Sequence, residues 1–192
     1  MNSDTADGPP RALLIAALVV AVVAGIAVLV VAAVLQRSPA PGPVAVSSVP
    51  APRADSPDCA KVLDALPAQL GDYRRAQLVD PAPAGAAAWQ RVDGGEPLIL
   101  RCGLDRPADF VIGAPLQVVD AVAWFRVGEA GVGEDGVADP ADSSRATWFA
   151  VDRPVYVALT LPPGSGPDPI QTISAILAEI LPVRSPEPGP AR

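Results

Sequence analysis

The amino-acid sequence predicts an α+β fold, with an N-terminal transmembrane helix ahead of a small extracytoplasmic antiparallel sheet packed with helices as a two-layer sandwich. Three observations predict it. Residues 12–35 contain no charge and consist of Leu, Ile, Val, Ala and Gly. Three later runs, 98–102, 147–151 and 155–161, alternate their residues with the period of a strand. A closing segment, Asp168 to Leu181, repeats aliphatic residues at helical spacing.

The first element rests on length. At ~1.5 Å per residue, 12–35 would measure about 36 Å, against ~30 Å for the hydrocarbon core of a bilayer. A cleaved signal peptide has a shorter apolar region and a small-x-small cleavage site. The nearest match, Ser38-Pro39-Ala40, is spoiled by Pro39 and Pro41, and no Cys follows the run for lipoprotein processing. The expectation is an uncleaved signal-anchor, with the chain crossing the cytoplasmic membrane once. Arg11 before the run and Arg37 after it nearly balance the positive-inside bias. The cysteines decide the orientation. Cys59 and Cys102 are the only two, an even number suited to one disulfide, which persists in an oxidising compartment. Residues 1–11 are therefore expected in the cytoplasm and 58–183 outside it.

Prolines at 39, 41, 43, 50, 52 and 57 mark residues 36–57 as a stalk, either extended and polyproline-like or disordered. The Pro-rich tail 184–192 is expected to be unstructured and dispensable. Between them acidic residues outnumber basic ones nearly two to one, and the whole chain carries a net charge of −7. Such a surface disfavours nucleic acid and anionic headgroups as main ligands.

Within 58–183, Ser56-Pro57-Asp58 reads as a helix start, followed by Cys59, Val62, Leu63 and Leu66 on one face and a stop near Pro67. Tyr73 to Val79 reads as a weak strand. After the turn Asp93-Gly94-Gly95-Glu96-Pro97, Leu98, Leu100 and Cys102 alternate with Ile99 and Arg101. Val118 to Val127, rich in β-branched and aromatic residues, reads as one strand. Thr147, Phe149 and Val151 alternate with Trp148 and Ala150. Val155, Val157, Leu159 and Leu161 share a face of the clearest strand, joined to the previous one by Asp152-Arg153-Pro154. The last element has Asp168 as expected N-cap, Pro169 at the first helical position and Gln171 completing a capping box. Its stripe of Ile170, Ile173, Ile176, Leu177, Ile180 and Leu181 needs a sheet to cover.

The order Cys59, Leu66-Pro67, Ala88-Trp89, Pro97-Leu98-Ile99-Leu100-Arg101-Cys102-Gly103 and Val122-Ala123-Trp124, with Thr147-Trp148-Phe149 and Arg153-Pro154-Val155 beyond, resembles domain-of-unknown-function family 3515, an actinobacterial family of membrane proteins. The likeness runs from about Cys59 to Leu181 and rests chiefly on the Leu-Arg-Cys-Gly block. It implies an N-terminal anchor, a short linker and one extracytoplasmic domain, and it implies no activity. One departure is local: Gln90 to Glu96 stands where the family pattern has Trp-Gly-Asp-Pro or similar.

The chemistry is bounded by what is missing. With no His in the chain, Ser-His-Asp and Cys-His nucleophiles are excluded, and so are nearly all catalytic zinc sites. Lys61 is the only Lys and lies on the exposed face of the first helix, where it makes a poor general base. Gly131-Val132-Gly133-Glu134-Asp135-Gly136 matches the dinucleotide motif in letters only. Asp139-Pro140 follows where a helix should open, and two carboxylates would repel a pyrophosphate. The acidic loop 128–144 lacks EF-hand spacing and reads as a solvated hairpin loop, with weak calcium binding as the alternative. Arg101, alternating with core positions, is a candidate to pair with Asp120 across strands or to contact a ligand or partner. Trp89, Trp124 and Trp148 are candidates for core packing or for such a contact. The expected function is a non-enzymatic, membrane-anchored cell-envelope protein whose domain contacts an envelope protein partner, without cofactor, metal or nucleic acid. The alternative is a small-ligand-binding domain using Arg101 and the tryptophans; a carboxylate-based hydrolase ranks third.

Overall fold

The computed structural model describes residues 11–35, 42–128 and 144–191. The chain divides into two compact units, Met1–Pro39 and Ala40–Arg192. The expected cytoplasmic N-terminus, apart from Arg11, lies outside the described residues, as do the Gly-rich motif 131–136 and nearly all of the acidic loop.

The first unit holds α1 (Arg11–Leu35). The membrane span expected over 12–35 is corrected here, and the signal-anchor and single-pass location go with it. Among the described residues no helix is long and apolar enough to cross a membrane.

The second unit is one antiparallel sheet with two helices of its own. Helix α2 (Pro57–Ala65) starts where Ser56, in extended backbone, accepts the Cys59 N–H on its hydroxyl at 3.3 Å. Pro57 lies in the first turn, where its missing N–H is not needed. The strands are β1 (Gln69–Leu70), β2 (Tyr73–Ala76), β3 (Ala86–Arg91), β4 (Leu98–Leu104), β5 (Leu116–Val119), β6 (Val122–Gly128), β7 (Ala146–Ala150) and β8 (Tyr156–Leu161). They lie in the order β1-β2-β3-β4-β8-β7-β6-β5, so β8 joins two meanders at the middle of the sheet. The expected small sheet thus has eight strands.

Helix α3 (Asp168–Ile180) begins one residue earlier than the capping pattern predicts. The Pro167 carbonyl accepts the Gln171 N–H, and no side chain caps the turn. Asp168 sits in the first turn, where its charge suits the positive end of the helix dipole. Both helices cover the same sheet face. Cys59 and Val62 of α2 and Ile170, Ile173 and Leu177 of α3 share one core with Leu100, Trp89, Trp124, Val157 and Leu159. Ile176 and Ile180, counted in the predicted stripe, lie at its margin and are only partly buried.

The opposite face is covered as well, so the two-layer picture is incomplete. Phe110, in the chain between β4 and β5, packs on Phe125 at 5.3 Å between ring centres, beside Val151. The tail locks this segment down: Ile112 N–H donates to Gly189, and Gly189 N–H donates to Phe110. On the other half, the expected stalk is docked from residue 42 onward. Val44 is buried and bonds both to Gln77 and to Val79 by its backbone, and the Arg53 N–H reaches the Gly103 carbonyl at 3.0 Å. Over their described parts, the stalk expected at 36–57 and the tail expected from 184 thus lie hydrogen-bonded to the domain. A proline-rich chain can satisfy its few N–H groups against a sheet as well as against water.

Candidate functional site

The Leu-Arg-Cys-Gly block on β4 explains three contacts at once. Strand alternation sends Leu100 and Cys102 to the helix face and Arg101 to the opposite one. Cys102 is bonded to Cys59 of α2, with Cα atoms 5.6 Å apart. Among the described residues, Arg101 pairs with neither Asp120 nor any other carboxylate. Its guanidinium donates to the backbone carbonyl and hydroxyl of Ser47, at 3.4 and 3.3 Å. Burial lowers its pKa from the ordinary value. At Gly103 the register with β8 shifts, and the residue takes φ +85°, a bulge that frees its carbonyl for Arg53. Arg101 and Gly103 hold the N-terminal segment onto the sheet.

The three tryptophans have separate fates. Trp89 is fully buried, donates to the Pro67 carbonyl at 2.9 Å, and carries the Arg75 guanidinium 4.9 Å from its ring centre. Trp124 is fully buried too, and its indole N–H meets Ser174 of α3 at 2.9 Å. Ser174 in turn donates to the Ile170 carbonyl one helical turn back, so the pair is satisfied within the core. Trp148 alone reaches a cleft. None of the three shares a sheet face with Arg101, so the structure does not assemble the ligand site expected from those four residues.

That cleft, of about 320 Å³, lies between the sheet and the start of α3, lined by Gln117 and Val119 of β5, Trp148 of β7, Leu161, Ile170 and Gln171. Its outer wall, β5, is the last strand of the sheet. Among the described residues no strand pairs with its far edge. From Val111 to Val119 there is no charged residue, and Ile112 and Val118 are 63% and 72% exposed. Sheet edges are ordinarily blunted by charge, by bulges or by a covering segment. This one offers a row of backbone donors and acceptors flanked by apolar side chains.

A buried ion pair was not legible in the sequence, where Asp152-Arg153-Pro154 reads only as a turn. Arg153 pairs with Asp152 at 3.0 Å and donates to the Ala121 carbonyl at 2.7 Å and the Leu177 carbonyl at 3.4 Å. Asp152 accepts the Ala123 N–H, and its carbonyl takes the Arg184 N–H. The pair ties two turns, the end of α3 and the tail into one knot. Every named contact is structural. Among the described residues no group of carboxylates or cysteines is arranged to hold a metal ion.

The model of a family described as proteins of unknown function, DUF3515, matches residues 18–186. The match covers most of the chain, which belongs to that family. No curated protein and no solved structure matches it.

Proposed function

We propose that this member of the family is a non-enzymatic interaction module that takes an extended segment of a partner protein along the open edge of β5. The single observation behind this reading is the adjacency of that edge to the Trp148 cleft, which share Gln117 and Val119. Strand addition draws affinity from main-chain hydrogen bonds and specificity from pockets that take alternate side chains. A segment laid antiparallel or parallel to β5 would turn every second side chain toward the helix face, where the cleft has room for one apolar group against Trp148. The complete lack of His and the single, ion-paired Lys61 support a binding role over a catalytic one. The Cys59–Cys102 bond supports a partner that shares an oxidising compartment, such as another envelope protein.

The test is selection of extended peptides from a displayed library on the purified protein, followed by affinity measurement on variants. Enriched peptides should alternate apolar residues and avoid Pro. Val118→Lys at the exposed edge and Trp148→Ala in the cleft should each weaken binding by roughly tenfold or more, about 1.4 kcal/mol. Peptides that bind both variants as tightly as the parent would sink the reading. A concentration-dependent dimer abolished by Val118→Lys would replace the partner by a second copy of the chain.

A further inference from the structure

A second cavity, about 230 Å³, shares no lining residue with the β5 cleft and is built by both ends of the chain's second unit. Arg53 enters it from the proline-rich segment, Arg184, Ser185 and Glu187 from the tail, and Tyr156 from β8. Its chemistry runs against the composition of the protein, which is acidic with a net charge of −7.

Arg53 is held in place: one of its terminal nitrogens donates to the Pro154 carbonyl at 2.6 Å. That bond leaves the rest of its guanidinium fork available. Arg184 uses its backbone N–H on Asp152, and among the described residues its guanidinium has no carboxylate partner. The other charges lining the cavity are already committed. Asp58 is bound to Lys61 at 3.0 Å, and Arg153 to Asp152 at 3.0 Å. Arg106 comes close enough to Tyr156 to bear on the hydroxyl electrostatically, and among the described residues it too forms no ion pair. Burial raises the Tyr156 pKa, Arg106 opposes that shift and Glu187 adds to it, so the phenol stays a neutral hydrogen-bond donor at neutral pH. Two guanidinium groups without a carboxylate partner among the described residues, Arg53 and Arg184, therefore line the same cavity as Ser185 and the Tyr156 phenol, with Glu187 as the one lining carboxylate outside an ion pair.

We propose that this cavity is a binding site for a small oxyanion, a carboxylate or phosphate group, clamped between Arg53 and Arg184. Guanidinium forks match the paired oxygens of both groups. The volume is below the usual ~300–1,000 Å³ of drug-sized ligand pockets, which limits the occupant to a single small anionic group. Glu187 works against multiply charged ligands and so favours a low charge. Because Arg53 and Arg184 lie on the two segments that cover the sheet, an anion between them would pin both segments together.

The experiment uses the full chain, titrated separately with inorganic phosphate and with acetate at constant ionic strength set by sodium chloride. Binding is followed by backbone amide shifts, and pinning by amide exchange in residues 184–189. A saturable response in either arm, with slower exchange at the tail, is expected. Response to phosphate alone assigns a phosphate group; response to acetate, with or without phosphate, assigns a carboxylate. Arg184→Gln, at an exposed position whose fold can be checked by circular dichroism, should weaken binding by roughly tenfold. Arg145→Gln, which breaks an ion pair with Glu96 and lines neither cavity, should leave it unchanged. A linear, unsaturable response in both arms overturns the proposal, and so does equal affinity for the parent and Arg184→Gln. The peptide test at β5 involves none of these residues, so either result stands apart from the other.

Discussion

Gly103 shows how much one residue carries. It must be glycine on two counts: its φ of +85° is a conformation that side chains resist, and the N-terminal segment lies directly against its α-carbon. A Cβ there would overlap the Ala54 nitrogen and come within 2.6 Å of the Arg53 carbonyl oxygen. Neither atom is the end of a flexible side chain, so the backbone itself has to give. Gly103→Ala is therefore expected to lift the 42–56 segment off the sheet while leaving the disulfide and helix face intact. The strained φ alone is worth about 1–3 kcal/mol, and the lost docking adds to it. Limited proteolysis checks this: the variant should be cut within 42–56 at protease levels that leave the parent whole. Unchanged cutting would show that the segment does not depend on the bulge. Arg101 belongs to the same argument. The sequence marks it as a charge among core positions, but its partner Ser47 is 54 residues away in a stretch read as a stalk, and no local pattern connects them.

Helix α3 tests the same logic at the level of an element. Its periodicity predicts a six-residue apolar stripe, whereas its packing divides that stripe. Ile173 and Leu177 are fully buried, and Ile176 sits at the margin. Ile173→Asp would place an unpaired carboxylate in the core and should unfold the domain, since such burial costs several kcal/mol against a total stability of ~5–15. Ile176→Asp can turn toward water and should cost far less. Urea titrations of both variants decide it; equal midpoints would mean that the helix packs through a different face. Elements with a strong period were legible, namely α3, β8 and the Leu98–Cys102 stretch of β4. The strand β3 was not, because Ala86, Ala87 and Ala88 have little strand propensity, although two of them are buried against the sheet's neighbours. The run 118–127 hides a hairpin for a related reason. Its turn uses Asp120 at φ +51° in place of the usual glycine, so the strand signal runs through without a break. The β5 edge could not be foreseen, since edge status follows from sheet order and not from composition.

At the scale of the whole molecule, the limits of the domain are set by what covers the sheet. Reading composition alone puts them at 58 and 183. The structure adds a proline-rich segment from residue 42 and a tail to residue 191, both held by backbone hydrogen bonds. Val44 contributes two, Arg53 one, Arg184 one and Gly189 two. At ~0.5–1.5 kcal/mol each, these six bonds are worth on the order of 6 kcal/mol, and removing the tail would also uncover Phe110. The disulfide, linking residues 43 apart, contributes about 4 kcal/mol in the chain-entropy model, and it would survive in either fragment. A fragment spanning 42–191 is therefore expected to unfold cooperatively in urea with a midpoint near that of the full chain. One spanning 58–183, which keeps the disulfide and α3 but loses Pro57 and the Ser56 cap of α2, should lose half or more of that midpoint or fail to fold. Tryptophan fluorescence reports the transition, because Trp89 and Trp124 lie in the shared core and leave it only when the sheet opens. If the shorter fragment melted where the longer one does, the covering segments would rest on the sheet without stabilising it. The cavity between Arg53 and Arg184 would then be a loose seam unable to hold an anion.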